Sequence, residues 1–271
     1  MKYGIFYIAT NVYKNYFDNF LNTVKHIFPD KEKDLIIISD GLTEYNNKSL
    51  DNINIYVEEI FDFPYPIINL CKFQIIYNYA KKYNIDKILY FDADTIIFEK
   101  NNDFWNYIDT LLDSDKLIFS YHPHYLYNNE SIFYNNGFMY HNDSLAVNVD
   151  PNYIYDNKCY IMTSFFMGSL NAVKYGYEKV YRMSSQDLRN HRWIPWFSDE
   201  AYINALNIND NIINNIESIY LDKFITINPY NFNGVIFDNN DIYHNNFNDI
   251  NTIFINQKYD INIKKQKREI F

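Results

Sequence analysis

The chain has 271 residues, with 24 basic against 34 acidic side chains and a formal net charge of −10. The length suits one large domain or two small ones, and a composition that is 48% hydrophobic and 20% aromatic argues against disorder. The acidic balance disfavours general binding to DNA or RNA, whose affinity rests on neutralising phosphates, but it leaves room for one local basic site for a phosphorylated small molecule. Cys71 and Cys159 are too few for a disulfide framework and read as reduced thiols of a cytosolic protein. No apolar run approaches membrane-spanning length, and Met1-Lys2 leads into a strand-like segment without a signal-peptide pattern. A soluble cytoplasmic protein is the expectation.

In chain order, Tyr3 to Thr10 predicts a buried strand. Tyr13, Phe17, Phe20, Leu21, Val24 and Phe28 follow with helical spacing. Leu35 to Ser39 predicts a second strand, ending at the turn signal Asp40-Gly41, and Ile53 to Val57 a third. A helix is expected from an Asn69 cap to Tyr83, with Leu70, Phe73, Ile76, Tyr77 and Ala80 on one face. The strand Lys87 to Phe91 comes next. This β-α-β-β-α-β order predicts an α/β fold with a mostly parallel sheet flanked by helices. Further on, the pattern predicts a short strand at Ile96 to Phe98, a helix over Phe104 to Leu112 and a strand over Leu117 to Tyr121. A long irregular segment from His122 to Asn157 follows, of the kind that usually serves function. Cys159 to Leu170 is densely apolar, helices are expected over Asn171 to Arg182 and Asp199 to Leu206, and the chain ends in a basic tail. With no repeat and no flexible linker, a single domain is expected, its donor-binding part about 1–120 and its acceptor and catalytic part about 121–271.

Asp92 and Asp94 stand at the end of the short apolar run Lys87 to Phe91. Residues i and i+2 of an extended chain point to the same side, and ligands of open α/β sheets bind beyond the carboxyl ends of the strands. Two acids there repel unless a cation lies between them. A hard divalent ion that also takes phosphate oxygens fits that position. The ordinary alternative, in an Asp-rich chain, is a turn or a solvated loop end.

Several stretches then fall in a recognisable order. Tyr7-Ile8-Ala9-Thr10-Asn11-Val12-Tyr13, Asn69-Leu70-Cys71-Lys72-Phe73, Phe91-Asp92-Ala93-Asp94 and His122-Pro123 are followed by Tyr160 to Ser169 and by Trp196-Phe197-Ser198-Asp199-Glu200 with Ile203 and Asn204. In this order the chain resembles the family 6 glycosyltransferases, which include the blood-group A and B transferases, the α1,3-galactosyltransferases and short bacterial relatives. The resemblance covers nearly the whole chain. It departs at Ser198, where the family has His, at Thr163 and Met167, where it has small residues, and near His141-Asn142-Asp143, where it has Glu-Arg-Arg. These departures bear on the acceptor and donor sugar more than on the reaction type.

The resemblance implies a single GT-A type, Rossmann-like nucleotide-sugar domain that retains anomeric configuration while moving a hexose from a UDP-sugar to a glycan or glycolipid hydroxyl. It implies Mn²⁺ or Mg²⁺ on Asp92 and Asp94, which would offset the charge of the leaving diphosphate. Tyr7, Ile8, Ala9 and Tyr13 would hold the uridine, and Lys72, Lys264, Lys265 and Arg268 would face the phosphates. Asp92 and Asp199 would also contact the donor, and Met162 and Ser164 would set the choice of sugar. Ser164, bulkier than glycine, favours galactose over N-acetylgalactosamine. Glu200 would be the carboxylate that retention requires on the far face of the sugar; its ordinary alternative is a helix-N-terminal acid. His122, Trp196 and Phe197 would contact the acceptor, the two aromatic rings by stacking on a sugar face. The strand-end motif is also similar to that of the glycogenin-type family 8 transferases, and a UDP-sugar-binding protein without catalysis is the reading outside the enzyme class.

Overall fold

The computed structural model describes residues 1–63, 66–97, 102–121, 144–146, 161–190, 192, 194, 198–208, 224–227, 237–238 and 254–256. Tyr3–Ala9 forms β1 and Lys33–Ser39 forms β2, both buried at every position. This is the burial expected of apolar runs without a polar face in a sheet covered on both sides. The short β3, Lys48–Leu50, is exposed, and β4, Ile53–Glu59, alternates at its start between buried and exposed residues. Lys87–Asp92 forms β5. These strands lie in the order β3-β4-β2-β1-β5. The pairs β1–β2, β2–β4 and β1–β5 are parallel, and β3 runs antiparallel to β4. The expected α/β class and mostly parallel sheet are present.

These strands belong to the first of two compact units, formed by Met1–Asp62, Ile85–Leu111 and Asn228–Phe271; the second comprises Phe63–Asn84 and Leu112–Ile227. In the first unit the helical spacing after β1 is divided between two kinds of helix. Asn11–Tyr16 is a 3-10 helix, and α1 covers Phe17–Val24, burying Phe17, Phe20 and Val24. Asn11 turns the chain out of β1 with a left-handed φ of 52°, a conformation Asn tolerates well. The Tyr13 N–H then bonds the Thr10 carbonyl at 3.1 Å, the tighter i→i+3 pattern. A second, small sheet joins β6 (Thr95–Ile97), β10 (Phe237–Asp238) and β11 (Phe254–Asn256) in the order β10-β11-β6. Helix α3 covers Asn102–Leu112.

At the amino ends of β1, β2 and β5 in this unit, charges are matched closely. Lys33, 1% exposed, donates to the carbonyls of Phe28 and Lys31 and to Asn52 Oδ1, and burial pushes its ammonium down to about 8. Asp109 accepts hydrogen bonds from Tyr3, Lys31 and Lys87. Burial pushes its carboxyl up, but the three donors outweigh that effect and hold it at about 2, against an ordinary 3.8. A carboxyl depressed in the folded state stabilises the fold above its unfolded value and loses that contribution as pH falls through the folded one. Acid titration of unfolding is therefore expected to show stability falling between about pH 4 and pH 2. Asp109→Asn should flatten the slope in that window, and an unchanged slope would refute the assignment.

The second unit is built around α2, Ile67–Lys82. This helix starts three residues earlier than an Asn69 cap would place it. Pro66 occupies the capping position without a side-chain cap, and its carbonyl accepts the Leu70 N–H at 3.1 Å; Asn69 sits inside the first turn. Proline suits a helix start because its φ is preset. Strands β7 (Leu117–Tyr121) and β8 (Ile161–Ser169) pair antiparallel, and β9 (Phe224–Ile227) pairs parallel with β7.

Helix α4 spans Leu170–Arg189, seven residues beyond the expected end at Arg182. Its start is capped by Ser169, whose Oγ accepts the Ala172 N–H at 3.1 Å. The continuation through Met183-Ser184-Ser185-Gln186-Asp187 looks like a loop in sequence because it is polar. It stays helical because Ser184 and Asp187 lie on the buried side with their polar groups satisfied, Ser184 Oγ by the Val180 carbonyl at 2.7 Å. Gly176 lets α4 close on its neighbours, since a Cβ there would meet Leu117 Cδ1 at 2.8 Å and Phe73 Cδ1 at 3.1 Å. Phe73 in turn stacks on Phe166 with centroids 4.4 Å apart, a pair worth about 0.5–1.5 kcal/mol beyond its buried area. The last helix, α5, covers Ser198–Ile208.

Among the described residues, no helix is long and apolar enough to cross a membrane. Cys71 is a free, half-buried thiol, pushed up by burial.

Candidate functional site

In the first unit the chain leaves β1, moves outward through β2 and β4, and returns to β5 on the other side of β1. The strand order therefore reverses between β1 and β5. In open α/β sheets the crevice beyond the carboxyl ends of the strands at such a reversal is where ligands bind. Asp92 lies at that end: it pairs in register with Ile8 on β1, one residue before Ala9 ends the strand. The residues expected to hold a nucleotide and those expected to hold a metal are thus brought to one edge by the parallel register.

The Asp92-Ala93-Asp94 turn is held from below by Tyr7. This residue is fully buried, packs its ring against Phe17 and Phe20, and donates its hydroxyl to the Ala93 carbonyl at 3.1 Å. Burial raises the Tyr7 phenol well above its ordinary value, and the negative charge of Asp94 pushes it the same way, so Tyr7 remains a neutral donor. Tyr90 donates to Asp92 Oδ1 at 2.7 Å, leaving that carboxylate half-buried, while Asp94 is 1% exposed. Ile8 and Ala9 are buried and Tyr13 is half-buried, its ring 6.2 Å from that of Tyr16. Beyond β2, Asp40 accepts the Asn11 N–H and pairs with Lys14 at 3.0 Å, closing the neighbouring part of the edge.

The donor set of this turn is two hard carboxylates. Magnesium-type sites commonly use one or two carboxylates and leave the remaining positions to water and substrate phosphates. Among the described residues no group of three or more His, Cys, Asp or Glu side chains forms a complete protein cage. The chemistry present fits a dication shared with a diphosphate.

The second unit assembles residues from three distant stretches around β8. Its ladder with β7 shifts register between Phe119 and Ser120, so that Phe119 faces Phe166 while Ser120 faces Met162. Thr163, Ser164 and Phe165 have no partner on β7 as a result, a bulge of the kind found beside active sites. Both backbone polar groups of Thr163 are met by side chains. Lys72 Nζ donates to the Thr163 carbonyl at 3.0 Å, across 91 residues of sequence, and the Thr163 N–H donates to Glu200 Oε2 at 3.0 Å. Lys72 Nζ also lies 2.7 Å from Asp199 Oδ2, in an ion pair whose side chains are 5% and 4% exposed.

Asp199 and Glu200 open helix α5, where the helix dipole favours acids. Glu200 is half-buried. The Lys72 ammonium, expected at a diphosphate, is engaged by Asp199 and Thr163. Ser164 is buried, and its Oγ has no hydrogen-bond partner among the described residues. The structure thus brings Lys72, Ser164, Asp199 and Glu200 together on the second unit, and Tyr7, Ile8, Ala9, Asp92 and Asp94 together on the first. Met162 contributes its backbone pairing to β8. His122, Trp196, Phe197, Lys264, Lys265 and Arg268 lie outside the described residues.

No protein-family model and no curated protein matches the chain.

One residue that the sequence reading missed stands out. Asp187, on α4, is fully buried. The buried stripe of that helix runs through Val173, Gly176, Val180 and Ser184 at helical spacing, and its next position is Asp187. An acid on the core stripe of an amphipathic helix is the signal that could have found it.

Proposed function

We propose that the chain is a retaining, metal-dependent glycosyltransferase with a GT-A type nucleotide-sugar fold. It moves a hexose, galactose in preference to N-acetylgalactosamine, from a UDP-sugar to a hydroxyl of a glycan or glycolipid. The observation that carries this reading is the position of Asp92-Ala93-Asp94: two carboxylates at the carboxyl end of a buried parallel strand, where the strand order reverses.

On this reading Ile8, Ala9 and Tyr13 line the nucleoside side of the crevice, and Tyr7 fixes the turn through the Ala93 carbonyl. Asp92 and Asp94 hold Mn²⁺ or Mg²⁺, which when bound supplies Lewis-acid neutralisation of the leaving diphosphate. Asp199 orients donor hydroxyls, with Lys72 holding it in place. The half-buried Glu200 carboxylate, fixed by the Thr163 N–H, supplies the negative charge that a retaining reaction requires opposite the leaving group. The side chain of Ser164 narrows the space for an N-acetyl substituent, which underlies the preference for galactose.

A thermal-shift titration with UDP and Mn²⁺, paired with an assay for galactose released from UDP-galactose, tests the proposal. A ligand at 100 times its Kd stabilises by about 2.7 kcal/mol. At roughly 2–4 °C per kcal/mol for a chain of this size, Tm should rise by about 5–10 °C. EDTA should abolish both the shift and the sugar release. A shift without release from any UDP-sugar would identify a binding protein, and no shift at all would defeat the nucleotide-sugar reading.

A further inference from the structure

We propose that Asp187 is a positioning residue for sugar transfer, tying helix α5, which carries Asp199 and Glu200, and the segment 144–146 to helix α4. This role rests on the transferase reading above. Asp187 is 0% exposed, and a carboxylate buried to that degree is costly unless its oxygens are fully matched. They are matched from three sides. Ser144 Oγ–H donates to Oδ2 at 2.8 Å, and the Leu145 N–H reaches Oδ2 at 2.9 Å and Oδ1 at 3.1 Å. Tyr202 O–H donates to Oδ2 at 2.9 Å, and Arg192 Nη1 lies 3.7 Å from Oδ1. Ser144 Oγ in turn accepts the Ala146 N–H at 3.1 Å, so the short segment is closed on itself as well as on Asp187.

The geometry bears on the proposed catalytic helix through Tyr202, which is itself fully buried. Tyr202 follows Asp199 by three positions, so the two side chains leave α5 on neighbouring parts of its surface. Helix α5 is therefore held at two points: Asp199 by Lys72 at 2.7 Å, and Tyr202 by Asp187 at 2.9 Å. Together these contacts fix the rotation of the helix about its axis and hence the placement of Glu200, which lies between them in sequence. Displacing a reacting group by about 1 Å can cost a hundredfold in rate.

A carboxylate presents two acceptor oxygens to these donors. An Asn side chain offers one acceptor oxygen and turns an N–H₂ towards at least one of the donors. A residue whose only task was to fill space on the α4 stripe would need no charge.

The test uses the full chain with UDP-galactose and Mn²⁺, following galactose release to water, which requires no acceptor. Asp187→Asn is expected to lower kcat by about 10–100-fold, the scale on which a remote substitution that misplaces a reacting group slows a reaction, while KM for UDP-galactose stays within about twofold. Tyr202→Phe, which keeps the ring and removes only the O–H, should lower kcat in the same sense, and it decides the matter if Asp187→Asn does not fold. An unchanged kcat in the folded variants, measured well below their Tm, would reduce Asp187 to a structural residue and overturn the proposal. A rise in KM alone would overturn it as well. Wild-type protein that releases no sugar would instead defeat the transferase reading itself, and this role with it.

Discussion

Glu200→Gln is expected to lower galactose release from UDP-galactose by about 10³-fold, the scale on which one preorganised electrostatic stabiliser acts. The substitution removes the charge and little else. Glu200 Oε2 accepts the Thr163 N–H at 3.0 Å, and the amide oxygen of Gln can accept the same bond, so the β8 bulge keeps its partner. The Lys72–Asp199 pair, 2.7 Å apart, is untouched. The thermal shift produced by UDP and Mn²⁺ should therefore match that of the wild type, and only turnover should fall. Glu200→Ala makes a useful contrast. It leaves the Thr163 N–H without this acceptor, at a stability cost of about 1–3 kcal/mol. A Gln variant with wild-type turnover would return Glu200 to the ordinary role of a helix-N-terminal acid that caps a bulged strand.

The largest effect on stability is expected from Lys72→Met. Lys72 and Asp199 form a pair with 5% and 4% of their side chains exposed, and the same ammonium satisfies the Thr163 carbonyl. Removing one partner of a buried pair typically costs about 3–5 kcal/mol, because the other charge stays buried. At roughly 2–4 °C per kcal/mol, Tm should fall by about 10 °C. The double variant Lys72→Met with Asp199→Leu should recover part of that loss, since an apolar pair of similar volume often replaces a buried ion pair at little net cost. Unfolding by denaturant for the wild type, both single variants and the double variant measures the coupling directly. A Lys72→Met protein as stable as the wild type would show that the pair is more open to water than its burial indicates. The double variant should regain stability without regaining turnover, because Asp199 is also proposed to orient the donor.

Much of the first unit was legible in the residues. The apolar runs within β1, β2 and β5 are buried throughout, as suits strands of a covered, mostly parallel sheet. The two carboxylates after Phe91 could fall only at the carboxyl end of such a strand. Errors clustered where polar residues take part in regular structure. Helix α2 starts after Pro66 and not at Asn69, because a proline with a preset φ opens a helix without a side-chain cap. Helix α4 runs on through Ser184 to Arg189, because hydrogen bonds inside the fold remove the penalty that makes such residues read as loop.

The sequence alone determined which segments could be strands and helices, and that two acids end the β5 strand, because hydrophobic periodicity records how each short segment meets the core. Tertiary structure decided which charged and polar groups meet. The encounters of Lys72 with Asp199, of Thr163 with Glu200 and of Asp187 with Ser144 and Tyr202 join parts of the chain that no local pattern connects. A buried charge is stable only beside a partner, and that partner is supplied by the packing of α2, β8, α4 and α5.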